Sequence, residues 1–145
     1  MKVTLVLSLL VPTLAIAAPD EAVVREMAKR TGLSPADIRS SYDACDSGVT
    51  LPMKVCASYR WTREDIRLTT AYEQAKVKAK EAGFEASLIA AQDAWQVYRD
   101  AACTYEGQMG ADGGAYEGLY VLSCKEQLTK ERADRLATAT RQSGQ

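Results

Sequence analysis

The stretch Leu88 to Cys103, LIAAQDAWQVYRDAAC, decides the fold. Leu88, Gln92, Trp95, Arg99 and Cys103 recur at intervals of three or four, which places them on one stripe of a helix. Ala91, Ala94, Tyr98, Ala101 and Tyr105 flank that stripe. No Pro or Gly interrupts the run, and Ala, Gln and Arg are strong helix formers. The spacing therefore predicts a helix over 85–106. Trp95 reads as core rather than as a platform for a ligand. Gln92 and Arg99 interrupt an otherwise apolar stripe, so each needs a buried partner.

The rest of the chain follows the same period. Asp20 to Arg30 reads as a short helix ended by Gly32. Ser34 is an N-cap with Pro35 at the first helical position, and this second helix runs to about Cys45. Asp46-Ser47-Gly48 breaks it. Thr50 caps a long helix from Leu51 to Ala82, which Gly83 stops. Gly107 to Gly114 holds four glycines in eight residues and reads as a loop. Tyr116 to about Thr140 is the last helix, with Val121, Cys124, Leu128, Arg132 and Leu136 as its inner stripe, and 141–145 reads as a flexible tail. Strand signals are nearly absent. The fold class expected is all-α, a small antiparallel helical bundle. Arg132 joins Gln92 and Arg99 as a polar interruption; Asp65 and Asp100 are the nearest partners, so these five residues read as a structural network between helices rather than a ligand site.

The N-terminus reads as an export signal. Met1-Lys2 gives a short positive region, Val3 to Leu14 an apolar run, and Ala15-Ile16-Ala17 the small-x-small pattern cut by signal peptidase. Cleavage after Ala17 avoids a proline at the first mature position. The apolar run is about half the roughly 20 residues a spanning helix needs, so a membrane anchor is not expected. The protein is expected in the periplasm or secreted. The chain holds four cysteines, Cys45, Cys56, Cys103 and Cys124, and no histidine. An even count behind an export signal reads as two disulfides. Spacing and the lack of histidine exclude a zinc site, and no cofactor is indicated. With consecutive helices antiparallel, all four cysteines fall toward one end of the bundle, and Cys45–Cys56 with Cys103–Cys124 are the favoured pairs because each spans a single loop.

Charge excludes one class of partner. With 18 basic and 19 acidic side chains the chain is near neutral, whereas nucleic-acid binding requires a clustered basic surface. Catalysis is not expected either. There is no histidine base, no Gly-x-Ser-x-Gly elbow and no paired-cysteine redox motif. Glu126, Glu131 and Asp134 sit among Lys and Arg at helical spacing and read as a solvated face.

These residues also resemble a family. Cys45, Met53 and Cys56 come first. Asp65 to Tyr72, DIRLTTAY, is similar to D-x-x-L-N-x-x-Y, and Leu88 to Cys103 is similar to L-x-x-A-Q-x-A-W-x-x-Y-R-D-x-x-C. Glu106, Gly113-Gly114, Cys124, Thr129, Arg132 and Leu136 continue the pattern. The chain resembles the lysozyme inhibitor LprI-like family over about 45–140, with Thr69 in place of a usual Asn and Ala115 in place of a common Ser. Residues 18–44 fall outside the pattern as an N-terminal helical extension. The resemblance implies a helical, disulfide-bonded envelope protein, and inhibition of lysozyme for at least one member. In that reading Glu106, Asp112, Gly113, Gly114, Tyr116, Glu117 and Tyr120 form a protruding, acidic, tyrosine-bearing loop held by Cys103–Cys124 and presented to a basic lysozyme cleft. The alternative is an envelope-stress or immunity-type protein binding another secreted partner, with 18–44 as a separate contact surface.

Overall fold

A computed structural model describes residues 18–142, so the export signal expected over 1–17 lies outside the described residues. Five helices follow in order: α1 (Glu21–Thr31), α2 (Pro35–Asp43), α3 (Thr50–Glu81), α4 (Glu85–Ala111) and α5 (Glu117–Gln142), with no strand among the described residues. The local signals work as the chemistry requires. The Asp20 carboxylate accepts the Ala22 N–H at 2.7 Å, and Gly32 closes α1 at φ 74°. Ser34 Oγ accepts the Asp37 N–H at 3.1 Å, with Pro35 in the first turn of α2. Thr50 does not cap α3: it is the first helical residue, and Val49 precedes it without a side-chain cap. Pro52 costs nothing there, because first-turn N–H groups have no helical acceptor.

The 32-residue α3 is the spine. Its N-terminal half carries α1 and α2, which bury Val23, Val24, Met27 and Ile38 against Val55 and Tyr59. The Tyr59 hydroxyl also accepts the Asp20 backbone N–H at 2.6 Å. The extension is thus part of the core, and deleting it would strip the cover from Val55 and Tyr59. The C-terminal half of α3 packs Leu68, Ala71 and Ala75 against Ala133 and Leu136 of α5.

The three long helices run up, down and up, but their lateral order departs from simple succession. Arg60 pairs with Glu126 and Arg67 with Asp134, at separations of 66 and 67 residues, so α3 and α5 lie side by side and parallel. Cys103–Cys124 and Gln92–Arg132, at separations of 21 and 40, set α4 antiparallel to α5. The central element is α5, flanked by α3 and α4, which meet each other only weakly. That position gives α5 two inner faces. Val121, Cys124, Leu128 and Arg132 turn toward α4, while Thr129, Ala133 and Leu136 are the buried face toward α3. Glu126 and Asp134, read from sequence as part of a solvated face, also pair with arginines of α3, Glu126 partly buried and Asp134 still exposed.

The second departure is at the glycines. Helix α4 continues through Gly107 and Gly110 to Ala111, five residues past its expected end, and only Asp112 to Tyr116 forms the turn. A Cβ on Gly107 would collide with Val121 Cγ2 and meet the Glu117 carbonyl oxygen at 3.2 Å; one on Gly110 would meet the Tyr120 ring at 3.1 Å. These glycines serve close approach of two helices rather than loop flexibility. Replacing a helical Gly by Ala in open space stabilises by about 1 kcal/mol. Gly107→Ala is expected to destabilise by about 1–2 kcal/mol net, because overpacking outweighs that gain. Urea unfolding measures it, and a variant more stable than wild type would refute the close contact. At its other end α5 runs through Gln142, two residues into the expected tail, and 143–145 lie outside the described residues.

Candidate functional site

Both disulfides form, Cys45–Cys56 with Cα atoms 5.8 Å apart and Cys103–Cys124 at 5.4 Å. The first ties the end of α2 to the first turns of α3. The second locks α4 to α5 two turns before the α4–α5 turn.

Below that second bridge lies a stack of cations and rings. The Arg99 guanidinium stands 5.0 Å from the Trp95 ring centroid and 5.7 Å from that of Trp61. Lys125 Nζ lies 4.9 Å from Trp61, and Arg132 lies 5.8 Å from Trp95. The order is therefore Lys125, Trp61, Arg99, Trp95, Arg132, with cations and rings alternating. Carboxylates close the stack at its sides: Arg99 Nε donates to Asp100 at 3.0 Å and faces Asp65 at 3.8 Å, and Lys125 reaches Asp100 at 3.1 Å. Asp65 is also held by Arg30 of α1 at 2.8 Å. Gln92, 5 % exposed, accepts from Arg132 Nε at 3.0 Å. Partial burial works to raise the Asp100 pKa, and the hydrogen bonds from Arg99 and Lys125 outweigh it, holding this carboxyl below its ordinary value. Asp65, Gln92, Arg99, Asp100 and Arg132 thus come together across α3, α4 and α5. Trp61 and Lys125 complete the group and were not singled out from sequence. Their signal was the i, i+4 step from Trp61 to Asp65 on one face of α3. Trp95 is half-buried and packs against the cluster of Leu68, Ala71, Ala75, Ala133 and Leu136, as expected of a core residue, with two guanidiniums beside its ring.

Above the bridge the surface changes character. Tyr105 (63 % exposed) and Met109 (68 %) project from α4, and Tyr116 and Tyr120 stand half exposed at the start of α5. Tyr105, Glu106, Met109, Tyr120, Ser123 and Gln127 border a depression of about 460 Å³ over Cys124. The turn itself is short. Asp112 at φ 47° and Gly113 at φ 70° both take left-handed backbone, and the Gly114 N–H closes on the Ala111 carbonyl at 2.8 Å. Glu106 lies on the last turns of α4 and Glu117 opens α5. The protruding loop expected from sequence is therefore a two-helix ledge with a tight acidic tip, because Gly107 and Gly110 are consumed in helix packing and only Gly113 and Gly114 are left to the turn. The flank Ala91, Ala94, Tyr98, Ala101 and Tyr105 is open to solvent along the same side of α4.

Among the described residues there is no cluster of His, Cys, Asp or Glu that could hold a metal ion, and no helix is long and apolar enough to cross a membrane. Comparison with curated proteins found no match, and comparison with solved structures found none. The model of the family described as lysozyme inhibitor LprI matches residues 42–136, which take in both disulfides, the cation–ring stack and the ledge but leave out α1 and most of α2. With a match over more than half its length, the chain belongs to the lysozyme inhibitor LprI family.

Proposed function

We propose that this protein is an exported, non-enzymatic inhibitor that binds lysozyme through the α4–α5 ledge. The family match over residues 42–136 carries the reading. Three features of the ledge support it. Tyr105, Met109, Tyr116 and Tyr120 offer amphipathic and adaptable contact area of the kind that dominates interfaces. Glu106, Asp112 and Glu117 set negative charge around it, which suits the surface of a basic enzyme. The Cys103–Cys124 bridge and the Gly107 contact fix both helices before binding, so little ordering cost remains. Disulfides and family both suit a periplasmic or secreted setting.

Titration of the oxidised exported chain into lysozyme acting on cell walls tests this. Lysis is expected to fall toward zero near equimolar protein. Tyr105→Ala with Tyr116→Ala is expected to weaken inhibition at least about tenfold, since exposed aromatic anchors carry interface energy, while leaving the melting midpoint unchanged. Full lysis at large molar excess, or equal inhibition by the double variant, would overturn the assignment of the ledge.

A further inference from the structure

The α4–α5 groove continues past the ledge to a second, smaller hollow of about 220 Å³, lined by Trp95, Tyr98, Leu128, Glu131, Arg132 and Arg135. Its walls are aromatic and aliphatic and its floor is cationic. Arg132 uses its Nε on the neutral amide of Gln92. Among the described residues Arg132 and Arg135, like Arg25 and Arg141, have no carboxylate within ion-pair distance, whereas Arg30, Arg39, Arg60, Arg63, Arg67 and Arg99 all do; of the four, Arg132 and Arg135 are the two that line a hollow together. The one acid on the rim, Glu131, accepts the side-chain amide of Gln127 at 3.2 Å. Burial first, and the neighbouring Arg135 second, press the Arg132 pKa downward, which is the cost of a half-buried cation without a counter-charge.

We propose that this hollow binds a carboxylate carried on a ring. The two terminal amino groups of Arg132 form a fork suited to a planar carboxylate. Arg135 adds a second positive charge at the rim, and Tyr98, 60 % exposed, gives the ring a stacking surface, while both faces of Trp95 are taken by Arg99 and Arg132. The volume admits a group of about one ring, and the hollow is open to solvent on its outer side. The site stands apart from lysozyme binding: it lies farther down the groove, and its occupancy is read without the enzyme.

Side-chain NMR of the exported chain, following Arg Nε–H and Trp Nε1–H signals, tests it with four probes. Glucuronate and benzoate represent the two ring classes, methyl glucoside is the neutral ring, and acetate is the bare carboxylate. Saturable shifts at Arg132 and Trp95 are expected with glucuronate or benzoate, whichever ring fits better, and at least about fivefold weaker ones with acetate and methyl glucoside. Arg132→Lys keeps the charge but removes the fork, and is expected to weaken binding about tenfold. Arg135→Gln, at an exposed position, is expected to weaken it about threefold without changing stability. Absence of saturation with both ring acids would overturn the proposal. So would acetate binding as tightly as they do, or affinity unchanged in both variants.

Discussion

Arg99→Ala is expected to remove about 3 kcal/mol of stability, more than any other single polar substitution in this chain. Arg99 is 8 % exposed and touches two rings and two carboxylates on two helices, α3 and its own α4. Each cation–ring contact contributes about 1 kcal/mol when partly desolvated. The lost ion pair adds to that, because removing one partner leaves the other desolvated and unpaired. Asp100 is half exposed and keeps Lys125, and Asp65 keeps Arg30, so the orphaned-charge penalty stays at the low end. Arg99→Lys retains charge but neither the flat face nor the fork, and should recover less than half of the loss. Urea unfolding measures both. A loss below about 1 kcal/mol for Arg99→Ala would mean that the stack is ornamental and that α4 is held by other contacts.

Removing Cys103 and Cys124 together, each replaced by Ser, is expected to cost about 3 kcal/mol, the loop-closure value for a link spanning 21 residues. The functional consequence separates this bridge from the other one. Helix α4 has few apolar contacts near its C-terminal end, where Tyr105 and Met109 face solvent. Without the bridge the ledge loosens, and inhibition of lysozyme should weaken along with stability. Replacing Cys45 and Cys56 by Ser also costs about 3 kcal/mol by the same argument, but that bridge ties the end of α2 to α3 rather than α4 to α5. That variant should inhibit normally at temperatures where it stays folded. Equal loss of inhibition in both pairs would remove the special role of the Cys103–Cys124 clamp.

Most of the fold was legible because its signals are local. Asp20, Gly32, Ser34 and Pro35 act within one turn of where they stand, and the disulfide pairs followed from short loops and alternating helix direction. What escaped reading is non-local. Gly107 and Gly110 look like loop residues until Val121 and Tyr120 are known to press on them. The second inner face of α5 escaped because Thr129 and Ala133 are unremarkable in a stripe count and gain meaning only when α3 lies alongside. The three polar residues that interrupt the stripes and their two carboxylate partners do converge, yet the arrangement that joins them depends on Trp61 of α3, whose role is visible only once Arg99 of α4 is known to reach it. For the ledge, the expected shape was a protruding loop and the observed one is a pair of close-packed helices, since a run of glycines does not reveal whether it bends a chain or brings two helices together.

Amide hydrogen exchange on the oxidised protein, alone and with an equimolar amount of lysozyme, tests the central claim most directly. Binding through the ledge should slow exchange over residues 105–120 and leave α1 and α2 unchanged. An unaltered pattern, or protection confined to α1, α2 and the first turns of α3, would contradict it.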